Sequence, residues 1–217
     1  MPEPLDRSRL LPLLTAERLD SYLRVSNSVN DAIRLYEWNM AAAASVMELT
    51  GIVEVVVRNA LDRELQQWVK TKHPGSVWFD RVPLDPQGRA DVVKARSRAT
   101  QKGRRAEVHG RVIAELTLGF WRYLVESRYL TSLWIPATHS AFPRGVQDLR
   151  QRQREVKSSL QQLHFVRNRA AHHEPIHSRD LARDFARALE LLGWVSSDAA
   201  EWARTTSSLP EVIRRKP

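Results

Sequence analysis

Apolar residues recur at every third or fourth position through most of this chain, and that period admits few architectures. Ile33, Leu35, Trp38 and Met47, then Ile52, Val55, Val56, Leu61, Leu65 and Trp68, then Val156, Leu160, Leu163, Val166 and Ala170 all keep it. Such spacing puts one face of a helix against a core. Alternating β-branched runs and Asn-Gly or Asp-Gly turns, the marks of hairpins, are missing. The pattern predicts an all-α fold, with residues 1–14 as an N-terminal extension and residues 15–217 as one helical domain. No internal repeat or long linker divides it.

The expected elements follow from caps and breakers. A short helix follows Thr15, and a long one starts at Ser28, with Asp31 in its first turn. Gly51 interrupts the long pattern, which by itself does not decide between a break and a kink. His73, Pro74 and Gly75 end it and open a loop to about Gly88. An apolar helix is expected through Val112 to Val125, and a loop around Trp134 to Pro143. A further helix runs from about Val146 to the His172, His173 pair, where Pro175 stops it. The last helices run from Arg179 to Leu192, with Gly193 just past the end, and briefly after Ser197.

At 217 residues, 42% of them hydrophobic, the chain can bury a core without disulfides or a structural metal. It has no cysteine, which excludes thiol chemistry and Cys-containing zinc sites. His172, His173 and His177 have only Glu174 and Asp180 as carboxylate neighbours, so neither a metal nor another cofactor is expected. Glu3, Asp6, Arg7 and Arg9 interrupt the first fifteen residues, as no signal peptide or membrane anchor would allow, and a cytoplasmic address is expected. The 34 Lys and Arg against 25 Asp and Glu give a net charge of +9, carried mostly by Arg. Guanidinium forks bind phosphate at two points, so nucleic acid is the first partner to consider, although a genome-wide bias toward Arg explains the same preference. The densest cations, Lys94, Arg96, Arg98, Lys102, Arg104, Arg105 and Arg111, face the single acid Glu107 and form a candidate RNA track. Most of the seven Trp residues read as core; Trp78 and Phe79, in a loop, are candidate base-stacking exceptions.

Chemistry concentrates in Arg167-Asn168-Arg169-Ala170-Ala171-His172-His173-Glu174-Pro175. An Arg followed four to six residues later by a His is a weak pattern in so Arg-rich a chain, and Arg104 with His109 satisfies it too. Arg167, Asn168 and His172 differ in closing a strongly periodic helix. Asn168 and His172, four residues apart, share a face, so the amide can orient the imidazole. Arg167 lies about 140° around the helix from His172, which suits a pocket completed by a second chain or by an unwound helix end. Together these groups suit cleavage of RNA by its own 2′-OH, with His172 moving the proton and Arg167 stabilising the phosphorane. The opposing reading is a capped helix end with a solvated Arg. Arg58 and Asn59 form a second Arg-Asn pair without a downstream His and read as support for the bundle or the site.

RNRAAHHEP, HGRVIAELTLGFWRYL from His109 to Leu124, EVVVRNALDRELQ from Glu54 to Gln66, and LLGW from Leu191 to Trp194 together resemble the Abi-like (abortive infection) family of the HEPN ribonuclease superfamily. The blocks span roughly residues 15 to 205. The resemblance implies a HEPN-type bundle, a homodimer, RNA as target, and phage defence through growth arrest by a toxin that an RNA or protein partner restrains. By position, the family's Arg, polar follower and His fall on Arg167, Asn168 and His172. His173 and Glu174 also match and are additional site candidates. Ala170 stands where the family often has a larger aliphatic residue. RNA binding without cleavage and a pure dimerisation module are the alternative functions.

Overall fold

The computed structural model describes residues 6–217, so the start of the expected extension, residues 1–5, lies outside the described residues. Helices α1 (Leu11–Leu14) and α2 (Ala16–Leu23) lead into α3 (Val29–Lys72). After α3 come α4 (Pro86–Ala99), α5 (His109–Ala114), α6 (Leu118–Leu124), α7 (Leu149–Ala171), α8 (Leu181–Val195), α9 (Ser197–Thr206) and α10 (Leu209–Arg214). No strand occurs among the described residues, and the chain is all-α.

The 44-residue α3 is the axis of the molecule. It spans about 66 Å at 1.5 Å per residue. Ser28 caps it by accepting the Asp31 N–H at 3.1 Å, and Gly51 neither breaks nor ends it. Helices α2, α6, α7, α8 and α10 all pack on α3. Its buried residues therefore occupy most of its circumference, from Ala32 and Ile33 through Val46, Val53 and Leu61 to Val69. Among the described residues, α3 alone is long and apolar enough to cross a membrane by composition, yet half of its most apolar window is buried inside the protein. Tertiary cover, beyond propensity, keeps so long a helix ordered.

Several boundaries differ from the expected ones, each for a local reason. The loop expected to reach Gly88 ends at Asp85, whose carboxylate accepts the Gly88 N–H at 2.8 Å and caps α4. Pro86 opens that helix, where its missing N–H costs nothing. The expected helix over Val112 to Val125 is two helices, α5 and α6. The expected loop around Trp134 to Pro143 holds a short 3₁₀ turn over Thr138–Ala141 and is preceded by 3₁₀ and π turns over Ser127–Tyr129 and Leu130–Trp134. Helix α8 runs through Gly193 to Val195, where the Trp194 carbonyl accepts the Arg144 N–H. Trp78 and Phe79 are buried and so cannot stack bases; Trp202 on α9 is the half-exposed tryptophan instead. From the N-terminal extension, Arg7 reaches α3 and donates to Glu37 at 3.0 Å.

Asp62 anchors the middle of the bundle. Its buried carboxylate accepts from Trp78 Nε1 at 2.7 Å, Gln66 Nε2 at 2.6 Å and His109 Nε2 at 2.8 Å. The His109 ring also stacks on Phe79. His109 thus has a packing role, and its match with Arg104 to the Arg-His spacing follows from that segment's composition.

The start of α7 is fixed by Arg152, a buried guanidinium that donates to the carbonyls of Val146 at 2.7 Å and Gly145 at 3.2 Å. A Cβ at Gly145 would lie 2.8 Å from Trp194 Cε3 and 3.0 Å from Arg152 Cγ. Gly145→Ala is therefore expected to destabilise the fold by about 1–3 kcal/mol through overpacking, measured as a lower midpoint in urea with an unchanged slope.

Candidate active site

Helix α7 carries the motif. Asp148 caps it by accepting the Gln151 N–H at 2.7 Å, and Val156, Leu160, Leu163, Val166 and Ala170 line its buried face as the spacing predicts. The helix ends in a Schellman closure: His173 N–H donates to the Ala170 carbonyl at 3.1 Å and Glu174 N–H to the Arg169 carbonyl at 2.8 Å. The position between, His173, has φ +55°. A left-handed residue other than glycine costs about 1–2 kcal/mol. Just beyond, the Ile176 N–H donates to the buried Asn39 Oδ1 on α3 at 2.7 Å, fastening the segment to the core.

The side chains sort differently from the expectation. Asn168 does not orient His172. It turns back one turn, donating from Nδ2 to His164 Nε2 at 3.4 Å, while its Oδ1 accepts from Arg167 Nη1 at 3.2 Å. The spacing of four was the right signal, but it holds toward the N-terminus, because the helix ends at His172 and leaves that imidazole beyond the regular turn. His172 and His173 are exposed, with no side-chain hydrogen bond among the described residues. Arg169 clamps the exit: it donates to the Pro175 carbonyl at 2.8 Å, pairs with Glu174 at 3.1 Å and lies over the Phe165 ring. Glu174 is thereby tied to Arg169 instead of standing free.

His164, missed from the sequence, is the best-framed imidazole on this face. It is half-buried, and that burial, with the Arg122 and Arg167 charges, holds its pKa below the ordinary value. Around neutral pH it is a neutral ring, and donation from the Asn168 amide makes Nε2 the acceptor. Gly119 on α6 gives it room, since a Cβ there would lie 3.1 Å from His164 Nε2. On the α3 side, burial raises the Glu54 carboxyl pKa, opposed by the charges of Arg167 and Arg58 and by the Leu118 N–H. Arg58 thus bears on the site through Glu54. His164, Asn168, Arg169, Glu174, Arg122 and Phe165 line an open cleft of about 380 Å³. Arg167, His172 and His173 are not among its lining residues.

In the basic run, Lys94, Arg98, Lys102, Arg104, Arg105 and Arg111 are exposed. Arg96 is not available in the same way: it pairs with Asp80 at 2.8 Å and Glu107 at 3.3 Å and covers Phe79. The turn bearing these cations has three consecutive left-handed residues, Gln101, Lys102 and Gly103. Thr100 Oγ1 holds it by accepting the Gly103 N–H at 3.1 Å. Among the described residues no group of three or more His, Asp and Glu is placed to hold a metal. His177 is instead buried against Tyr22.

Comparison with family models, with curated proteins and with solved structures returns no match.

His164 and His177 both have pKa values below the ordinary 6.5. Each binds its proton more readily when the chain is unfolded, so their contribution to stability is present above about pH 6.5 and is lost as pH falls toward the folded values. The unfolding midpoint in urea is expected to drop between pH 7 and pH 5. His164→Gln should make that slope shallower, and an unchanged slope would exclude a depressed His164 pKa.

Proposed function

We propose that this chain is an RNA-directed protein of the Abi-like HEPN type, acting in the cytoplasm as a homodimer and cleaving RNA without a metal or other cofactor. Its biological role in this reading is phage defence by growth arrest, with an RNA or protein partner restraining it. The observation that carries the proposal is the half-buried His164 imidazole, held by Asn168 on an open cleft that Arg122 also lines, with Arg167 nearby. A base that is unprotonated near neutral pH, next to guanidinium groups able to stabilise a phosphorane, suits attack by a ribose 2′-OH. The Asn168 amide gives up its 3.4 Å bond to His164 Nε2, Nε2 accepts the 2′-OH proton, the 2′-oxygen bonds to phosphorus, and the 5′-oxygen departs, taking a proton from solvent. The products end in 2′,3′-cyclic phosphate and 5′-OH. Arg122 lines the cleft with its Nη1 paired to Glu126 at 2.8 Å, whereas Arg167 acts through Asn168 and by its charge.

His172 and His173 keep a place in this reading. They stand exposed one helical turn past Asn168, where RNA entering the cleft meets them, and His173 occupies a backbone conformation that glycine would adopt at lower cost. Strain of that kind is often retained at functional positions. About 12 Å of helix rise separates His164 from His172, so the two do not share one scissile phosphate within a chain.

RNA binding without cleavage is the second reading, favoured by the six exposed cations from Lys94 to Arg111. Phosphate contacts release counterions, so that affinity should fall steeply with salt. Replacing Arg98, Lys102, Arg104 and Arg105 with Gln should weaken RNA binding and flatten its salt dependence, as read by filter binding; an unchanged slope would remove the track.

The cleavage reading is tested by incubating RNA with the wild type and with His164→Ala, Arg167→Ala and His172→Ala, scoring 2′,3′-cyclic phosphate ends. His164→Ala and Arg167→Ala are each expected to lower the rate by about 100-fold or more. If His172→Ala alone abolishes cleavage, the proton transfer belongs to His172. Cleavage undiminished in all three variants would end the nuclease reading.

A further inference from the structure

The long helix α3, although packed on by six other α-helices, leaves an apolar stripe uncovered. Met40 is 52% exposed, Met47 36% and Val55 41%, and Ala44 and Gly51 between them are exposed as well. A Cβ at Gly51 would meet nothing within 4 Å. These positions follow one another at intervals of four, three, four and four, which places them along a single line of the helix surface. Single exposed apolar residues need no explanation, but a continuous stripe of them does.

The stripe is also self-complementary. From Glu37 the steps to Met40, Ala44 and Met47 are three, four and three; from Arg58 backward to Val55, Gly51 and Glu48 they are again three, four and three. Two copies laid antiparallel therefore match end to end. Met40 faces Val55 of the second copy, Ala44 faces its Gly51, and Met47 lies beside the two-fold axis. At both ends Glu37 meets Arg58, so the charges attract. Arg58 can reach it: its one side-chain hydrogen bond among the described residues is to Asn59 at 3.5 Å, and within its own chain it acts on Glu54 by charge alone. Glu37 already takes Arg7 and keeps 42% of its side chain exposed. Glu48, the one acid near the axis, is drawn aside by Ser208, whose N–H and Oγ donate to it at 2.8 Å and 2.6 Å.

We infer that this stripe of α3 is an interface between two copies of the chain, packed antiparallel about a two-fold axis at Met47 and Glu48. The contact from Glu37 to Arg58 is about 32 Å long. Steps of three and four favour a shallow crossing of about 20°, with the small Ala44 and Gly51 letting the backbones approach. A two-fold pairing of this kind uses the same patch on both copies. It names the dimer surface left open by the functional proposal and holds whether or not the chain cuts RNA. Glu54 lies at the stripe's edge and within the field of Arg167, so the interface adjoins the candidate site.

The test is the mass of the RNA-free full chain by sedimentation equilibrium across a dilution series. The wild type should weigh two chains of 25.0 kDa, and Met47→Glu, which sets like charges across the axis, should weigh one. Register is read by crosslinking, which the cysteine-free chain makes clean. An equal mixture of Met40→Cys and Val55→Cys chains should join as mixed pairs under a short bis-maleimide, and a Trp202→Cys control should not join. A monomeric wild type, a dimer that Met47→Glu leaves intact, or crosslinks joining Met40→Cys chains to one another would each overturn the inference. So would a monomer that sediments with phosphatidylcholine vesicles through this stripe.

Discussion

The continuity of α3 is the constraint on which the rest of the molecule depends. A helix of this length with apolar residues around most of its circumference must be covered on several sides at once. The short helices before and after it supply that cover. Because α6 and α7 both pack on α3, residues distant in sequence converge: Glu54 and Arg58 from α3, Gly119 and Arg122 from α6, His164, Arg167 and Asn168 from α7.

Electrostatics at the site follow from that convergence. Positive charge from Arg58, Arg122 and Arg167 gathers around one half-buried carboxyl and one half-buried imidazole. Burial raises the Glu54 carboxyl pKa and lowers that of the His164 ring, disfavouring charge on both, while the guanidinium groups oppose the first effect and reinforce the second. Arg122 is paired with Glu126 at 2.8 Å, so the positive charge beside the half-buried ring and the open cleft comes chiefly from Arg167 and Arg58. Such a field would favour a polyanion, and the one lone pair of the ring, at Nε2, is held by the long 3.4 Å contact from Asn168. By contrast, the Asp62 cluster spends its carboxylate on three donors and serves packing.

The helical class was legible because period 3.6 is a long-range signal repeated over many turns, and the caps at Ser28 and Thr15 were legible because capping is local. The start of α4 was not, since Pro86 within a Pro-containing stretch reads as loop until Asp85 is recognised as its cap. Within the site, the end of α7 at the His172, His173 pair was legible from Pro175 and the periodicity, while the partner of Asn168 was not. Both His172 and His164 lie four residues from Asn168, one on either side, and only the folded rotamer shows that the amide turns back to His164. The role of Arg96 was also hidden, because its partners Asp80 and Glu107 lie on other segments and meet it only after folding.

One feature of the helix exit bears on how any ligand is met. Arg169 joins the Pro175 carbonyl, the Glu174 carboxylate and the Phe165 ring, and the next N–H, that of Ile176, is fixed to Asn39 in the core. The segment closing the cleft is held in one arrangement before anything arrives. Immobilising a mobile loop costs an incoming ligand free energy for every side chain ordered, and a segment already fixed by folding spares it most of that entropic loss. A ligand reaching this rim would therefore meet a fixed shape that does not mould itself around it.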